Sequence, residues 1–147
     1  MQKLAILVTR LSSWVLSKMG RGGSMPGRLG IKIAPDCLNH LKFGGPVILV
    51  TGTNGKTSTA NMVSDLMEEA GYKVVTNRKG DNLRVGITST LLSHCSLSGR
   101  VKADAAVLEV DELNMKYIVP ALPVTAIVVN NFFRDQLDRA GEMERII

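Results

Sequence analysis

The pattern of apolar and polar positions divides the chain into two unlike stretches. From residue 46 onward, short β-branched runs alternate with stretches of helical period. Pro46-Val47-Ile48-Leu49-Val50-Thr51 is nearly all apolar, which marks a strand buried on both faces. After a glycine-containing turn, apolar residues at Met62, Val63, Leu66, Met67 and Ala70 trace a helix that Gly71 ends as a C-cap. Tyr72 to Thr76 reads as a second strand, Val85 to Leu92 as a second helix and Ala105 to Val110 as a third strand. Asp111-Glu112 then opens another helix with acids at its positive end, and Val124 to Val129 is a fourth strand. Strands alternating with helices, with connections long enough for crossovers, predict an α/β fold: a parallel sheet with flanking helices.

The first 45 residues read differently. Apolar residues recur at Leu4, Leu7, Val8, Leu11, Trp14, Val15 and Met19, and Arg10 and Lys18 lie among the polar positions. This spacing predicts an amphipathic helix whose apolar face packs on its own domain, with a membrane-surface helix as the alternative. The run Leu4 to Val8 breaks at Thr9-Arg10 and no A-x-A site follows, so it is not read as a signal peptide. No stretch reaches the ~20 apolar residues of a membrane span. The glycine-rich segment from Gly20 to Arg28 is expected to be a loop or hinge, and Asp36 to cap a short helix.

Composition narrows the class. In 147 residues, 45% apolar and 21% charged is a globular balance, not that of a disordered tail or a fibre. Eighteen basic residues against thirteen acidic ones give +5, which suits a polyanionic partner: a nucleotide, a nucleic acid or an acidic membrane surface. Aromatics at 4% argue against stacking on single-stranded nucleic acid, and no nucleic-acid partner is expected. Cys37 and Cys95 lack metal-ligand spacing, so neither a zinc site nor a disulfide framework is read from them. His94 beside Cys95 is not read as a catalytic dyad. A cytoplasmic location is expected.

The sharpest chemistry lies between the first strand and its helix, at Thr51-Gly52-Thr53-Asn54-Gly55-Lys56-Thr57. Glycine permits a tight turn whose N–H groups converge on a phosphate, and the helix start adds free donors and a positive dipole end. Lys56 would meet the β- and γ-phosphates, and the Thr57 hydroxyl a Mg²⁺ ion. The general phosphate-loop spacing is not met, because Val50 stands six residues before Lys56. The competing reading is an ordinary strand-to-helix turn that carries a lysine. Other candidates fall at the carboxyl ends of later strands, where open α/β sheets bind ligands. Glu109 suits a Mg²⁺ ligand, and Arg78-Lys79 form a basic pair suited to an acidic substrate. Asn130-Asn131 and Asp135 to Arg139 follow the fourth strand, although Asp135 and Arg139 also fit an i,i+4 surface pair.

These motifs resemble the central ATP-binding domain of the Mur ligase family, which joins an amine to a carboxylate using ATP. The run T-G-T-N-G-K-T-S-T is close to that family's glycine loop, Glu109 matches its Mg²⁺-binding glutamate, and residues 131–139 match N-x-x-x-D-H-x-D-R, with Gln136 replacing the histidine. Within the family, N-F-F-R-D-Q-L-D-R, the early glycines and Gly80-Asp81-Asn82 are similar to the MurT-type branch, which usually has G-A-N where Asp81 stands. Folylpolyglutamate synthases, which usually show G-K-G-S, are the weaker match.

The resemblance implies a P-loop-type domain over 46–147, incomplete relative to the family, behind a lead-in over 1–45. It implies ATP and Mg²⁺, held by Gly52, Thr53, Asn54, Gly55, Lys56, Thr57, Ser58, Asn82 and Asn131, with Thr57 and Glu109 on the metal. The implied reaction amidates the D-glutamate α-carboxylate of lipid II, with ammonia from a GatD-type glutamine amidotransferase. Peripheral contact with the membrane surface would accompany such a substrate. Catalytic residues, a zinc ribbon and a C-terminal domain are expected beyond Ile147, which makes the chain the leading portion of a longer protein. The alternative is a catalytically silent nucleotide-binding or interaction module.

Overall fold

The structure, a computed structural model, describes residues 1–20, 23–78 and 81–132. Four strands form one parallel sheet: β1 (Val47–Thr51), β2 (Val74–Thr76), β3 (Ala105–Glu109) and β4 (Ala126–Val129), in the order β2-β3-β1-β4. The five helices of the described residues are α1 (Gln2–Lys18), α2 (Met25–Ile33), α3 (Lys56–Glu69), α4 (Arg84–Ser93) and the short α5 (Met115–Ile118). The expected parallel α/β architecture is what the chain adopts.

The central strands are buried because their residues are apolar on both faces. All five residues of β3 are buried, and Val47, Leu49 and Val50 of β1 are fully so. Val50, Ala60 and Val107 form a small cluster beneath α3. The opposite face packs on a larger core holding Leu49, Leu108, Ile87, Leu91 and Leu92. Ala5, Ile6, Cys37 and Leu38 join that core, so the first 45 residues pack directly against the sheet domain's helices.

Three expectations change. The segment from Gly20 to Arg28 is not all loop, since α2 begins at Met25 with Pro26 in its first turn, where proline's missing N–H costs nothing. Gly27 and Gly30 lie inside α2 as contact points: a Cβ on Gly27 would sit 1.8 Å from the Val85 carbonyl oxygen, and one on Gly30 would sit 2.6 Å from Thr9 Oγ1. The glycines thus bring α2 against α4 and α1. At residue 112 a 3₁₀ turn (Glu112–Asn114) precedes α5, with Asp111 Oδ1 accepting from the Leu113 N–H at 3.1 Å.

The largest change concerns α1. Its apolar stripe points outward: Leu4, Leu7, Leu11, Trp14 and Val15 are exposed, while Ala5, Ile6 and Thr9 are buried. Apart from Ile6 the inward face is small, because the helices approach closely. Thr9 Oγ1 donates to the Pro26 carbonyl at 3.2 Å, and Ser13 Oγ lies 3.0 Å from Ser93 Oγ on α4. Leucines could not fit there without forcing the helices apart. Lys79, Gly80 and residues 133–147, including Arg134, Asp135, Gln136, Asp138 and Arg139, lie outside the described residues.

Candidate functional site

Parallel register brings the site together at one edge of the sheet. Val50 pairs with Glu109 and Thr51 with Val129, so the ends of β1, β3 and β4 are level. The loop leaving β1 turns at Gly52 (φ +133°) and Gly55 (φ +78°), conformations that side chains disfavour. A Cβ at Gly52 would also lie 2.9 Å from the Asn131 carbonyl oxygen. Gly55 is the N-cap of α3, and no side chain caps that helix. Its first turn therefore presents backbone donors and a positive dipole end to the loop, the setting an anion requires.

Two asparagines after β4 brace this loop. Asn131 Oδ1 accepts from the Asn54 N–H at 2.9 Å, its Nδ2 donates to the Asn54 carbonyl at 3.1 Å, and its own carbonyl accepts from the Thr53 N–H at 2.8 Å. Asn130 Nδ2 donates to Thr59 Oγ1 at 2.9 Å and to the Asn54 carbonyl at 3.3 Å. Asn131 is thus placed as a support for the loop backbone. Ser58 is exposed in the first turn of α3.

Glu109 is buried at the carboxyl end of β3. Thr57 Oγ1 donates to its Oε2 at 2.7 Å and Asn82 Nδ2 donates to its Oε1 at 2.8 Å. Its backbone is held as firmly: Asn77 Nδ2 donates to the Glu109 carbonyl at 2.8 Å, and the Glu109 N–H donates to Asn77 Oδ1 at 2.9 Å. Both proposed Mg²⁺ ligands, Thr57 and Glu109, therefore meet directly. No cluster of three or more His, Cys, Asp or Glu suited to a metal exists among the described residues. A cation here would complete its shell with phosphate and water oxygens, as Mg²⁺ commonly does.

Lys56 folds back over the loop. Its Nζ donates to the carbonyls of Gly52 and Thr53 and lies 3.3 Å from Glu112 Oε1. Glu112 is almost wholly buried, and its Oε2 has no hydrogen-bond partner among the described residues. A buried carboxylate facing the loop lysine was not foreseen as a site residue, because the acid after β3 read only as a helix start. Asn77 was equally missed. Its sequence signal is faint: one amide residue directly after a strand.

At this edge Arg78 and Asp81 have surroundings that their sequence neighbours do not indicate. Arg78 is committed to α3, with Nη2 donating to Asp65 at 2.6 Å and Glu68 at 3.0 Å, so these carboxylates already occupy the cation offered to an acidic substrate. Asp81 turns toward α4, where a Cβ on Gly86 would lie 2.1 Å from its carboxyl group. Burial raises the Asp81 carboxyl above its ordinary value. A cleft beside it is lined by Ser13 and Ser17 of α1, Asn77, Asp81, and Ser89 and Ser93 of α4. Cys95 and His94 make no dyad: burial pushes the Cys95 thiol up to about 11, and His94 Nδ1 instead lies 2.8 Å from the Thr90 carbonyl.

A parallel sheet carries a glycine loop, a loop lysine and a threonine–glutamate pair together at its carboxyl edge, which makes the chain an α/β domain with a candidate phosphate site. Residues 50–147 match the Mur ligase middle domain, and the chain belongs to the Mur ligase family. It is 37% identical over 140 residues to the lipid II isoglutaminyl synthase (glutamine-hydrolyzing) subunit MurT of Streptococcus pneumoniae, covering 95% of this chain and 31% of that protein. Identity to the subunit of the same name from Staphylococcus aureus is 30% over 148 residues, covering 99% of this chain and 33% of the other. A UDP-N-acetylmuramoylalanine–D-glutamate ligase of Nitrobacter winogradskyi is 36% identical over 99 residues, 67% of this chain and 19% of its own. The chain spans about a third of the length of the MurT relatives.

Proposed function

We propose that this chain is the ATP-binding portion of an amide ligase acting in peptidoglycan synthesis, with a lead-in over 1–45 and the nucleotide-binding unit over 46–147. The observation that carries the reading is the contact of Thr57 with Glu109 beside the glycine loop and Lys56. It brings a phosphate cradle and a cation carboxylate to one point. Similarity to two subunits named for lipid II isoglutaminyl synthase supports lipid II as the substrate, and in our reading the group amidated is the α-carboxylate of its D-glutamate.

In this reading Lys56 and the N–H groups of Gly55 to Ser58 hold the triphosphate, while the Thr53 and Asn54 N–H groups stay on Asn131; Thr57 and Glu109 would hold Mg²⁺, which supplies charge neutralisation during phosphoryl transfer. To reach the phosphates, Lys56 leaves the Gly52 and Thr53 carbonyls. Asn131 keeps the loop in shape, and Asn82 orients the Glu109 carboxylate for the cation. The substrate carboxylate oxygen takes the γ-phosphoryl group as ADP departs. Ammonia then attacks the acyl carbon, phosphate leaves, and a proton is released from the new amide nitrogen. Ammonia comes from a glutamine-hydrolysing partner of the GatD type, and the enzyme works in the cytoplasm. No helix among the described residues is long and apolar enough to cross a membrane.

Isothermal titration with Mg·ATP tests the shared premise. The Lys56→Ala variant is expected to bind at least about tenfold more weakly, the loss of one charge-assisted contact. Equal affinity would sink the phosphate-loop assignment.

A further inference from the structure

We propose that the outward face of α1 docks the protein on an anionic lipid surface, with the helix lying along the bilayer. The observation is an inverted helix. Ala5, Ile6 and Thr9 are fully buried, whereas Leu11 is 64% exposed, Trp14 60%, and Leu4 and Leu7 50% each. These residues recur at helical spacing along one side, so the exposed apolar groups form a continuous stripe rather than scattered positions.

Charge selects the occupant. The stripe ends at Lys18 and is flanked by Lys3 and Arg10, and no acidic residue occurs before Asp36. On α2, Arg28 and Lys32 are exposed beside Met25 and Leu29. Apolar residues with a tryptophan, on helices whose charged side chains are all cations, complement acyl chains beneath anionic headgroups. A second copy of this chain is disfavoured because it would set one cationic helix against another. The helix has 17 residues, with polar groups turned inward onto α2 and α4, so it lies on a bilayer and does not cross it. Ser13 and Ser17 line the cleft at the end of β2, so docking would bring that cleft to the lipid surface.

Trp14 is the single tryptophan of the chain and reports directly on the stripe. The 147-residue chain is mixed with phosphatidylcholine vesicles in which about three lipids in ten are phosphatidylglycerol, and with pure phosphatidylcholine vesicles. The expected result is co-sedimentation and a blue shift of Trp14 emission with the anionic vesicles, reversed by high salt. In sedimentation, Leu7→Glu with Leu11→Glu is expected to weaken binding at least tenfold, and Lys3→Glu with Arg10→Glu to remove its salt dependence. Circular dichroism should show both variants folded, because all four positions are exposed. Equal binding to neutral vesicles would overturn the charge argument. Trp14 emission already blue in buffer, with a dimer in solution, would assign the stripe to a second copy. No shift with any vesicle would end the proposal. Mg·ATP affinity should be unchanged in both variants, so this proposal and the ligase reading fail separately.

Discussion

Glycine serves two physical purposes in this chain, and the contrast between them explains much of the structure. In the loop after β1, Gly52 and Gly55 adopt positive φ, which turns the chain out of the strand and into the uncapped start of α3. In α2, Gly27 and Gly30 are helical, and their value lies only in the missing Cβ, which lets three helices touch. The first use shapes the candidate site. The second closes the helix interface so tightly around Thr9 and Ser13 that α1 offers small side chains there, with Ile6 buried nearby in the core, and Leu4, Leu7 and Leu11 are left outside. A glycine-rich segment is therefore ambiguous until its neighbours in space are known.

The two uses can be separated by substitution. Gly27→Ala should have the largest effect, because its Cβ would meet the Val85 backbone and neither element can yield cheaply. A loss of about 3 kcal/mol or more is expected, read as a fall of roughly 10 °C in the thermal midpoint. A midpoint within a degree of the parent would mean that α2 does not lie this close to α4. Gly52→Ala should cost about 2 kcal/mol from backbone strain, and unlike Gly27→Ala it should also abolish Mg·ATP binding in the fraction that remains folded. Intact binding would detach the loop from the nucleotide.

The smallest effect belongs to Asp81, whose carboxyl packs against another glycine, Gly86. Burial raises its pKa in the fold above the ordinary 3.8, so the folded state holds this proton more tightly than the unfolded chain does. Its stabilising share is complete below pH 3.8 and is lost as pH rises through the higher folded value. Asp81→Asn should therefore raise the melting temperature slightly at neutral pH and leave it unchanged near pH 3. An equal gain at both values would point to packing rather than charge.

The same contrast marks what could be read from the chain. The glycine loop was legible because its meaning is local: strand, turn, Lys56 and helix follow one another. Glu109 was legible from its place at the end of an apolar run. The period of α1 was also visible, yet its direction was not, since Leu11 carries no record of whether Gly30 or water lies opposite. Glu112 and Asn77 escaped for a related reason. Glu112 gains its meaning from Lys56, and Asn77 from Glu109, across gaps of 56 and 32 residues. The pairing of Arg78 with Asp65 and Glu68 escaped too, because those acids reach it from α3, 13 and 10 residues away.

The two-way bond between Asn77 and the Glu109 main chain has one further consequence. The amide hydrogen at Glu109 exchanges with solvent only when a side chain lets go, not when a strand frays. Its deuterium uptake is thus a built-in gauge of whether Asn77 holds the main chain that carries this carboxylate, and it can be followed without any turnover assay.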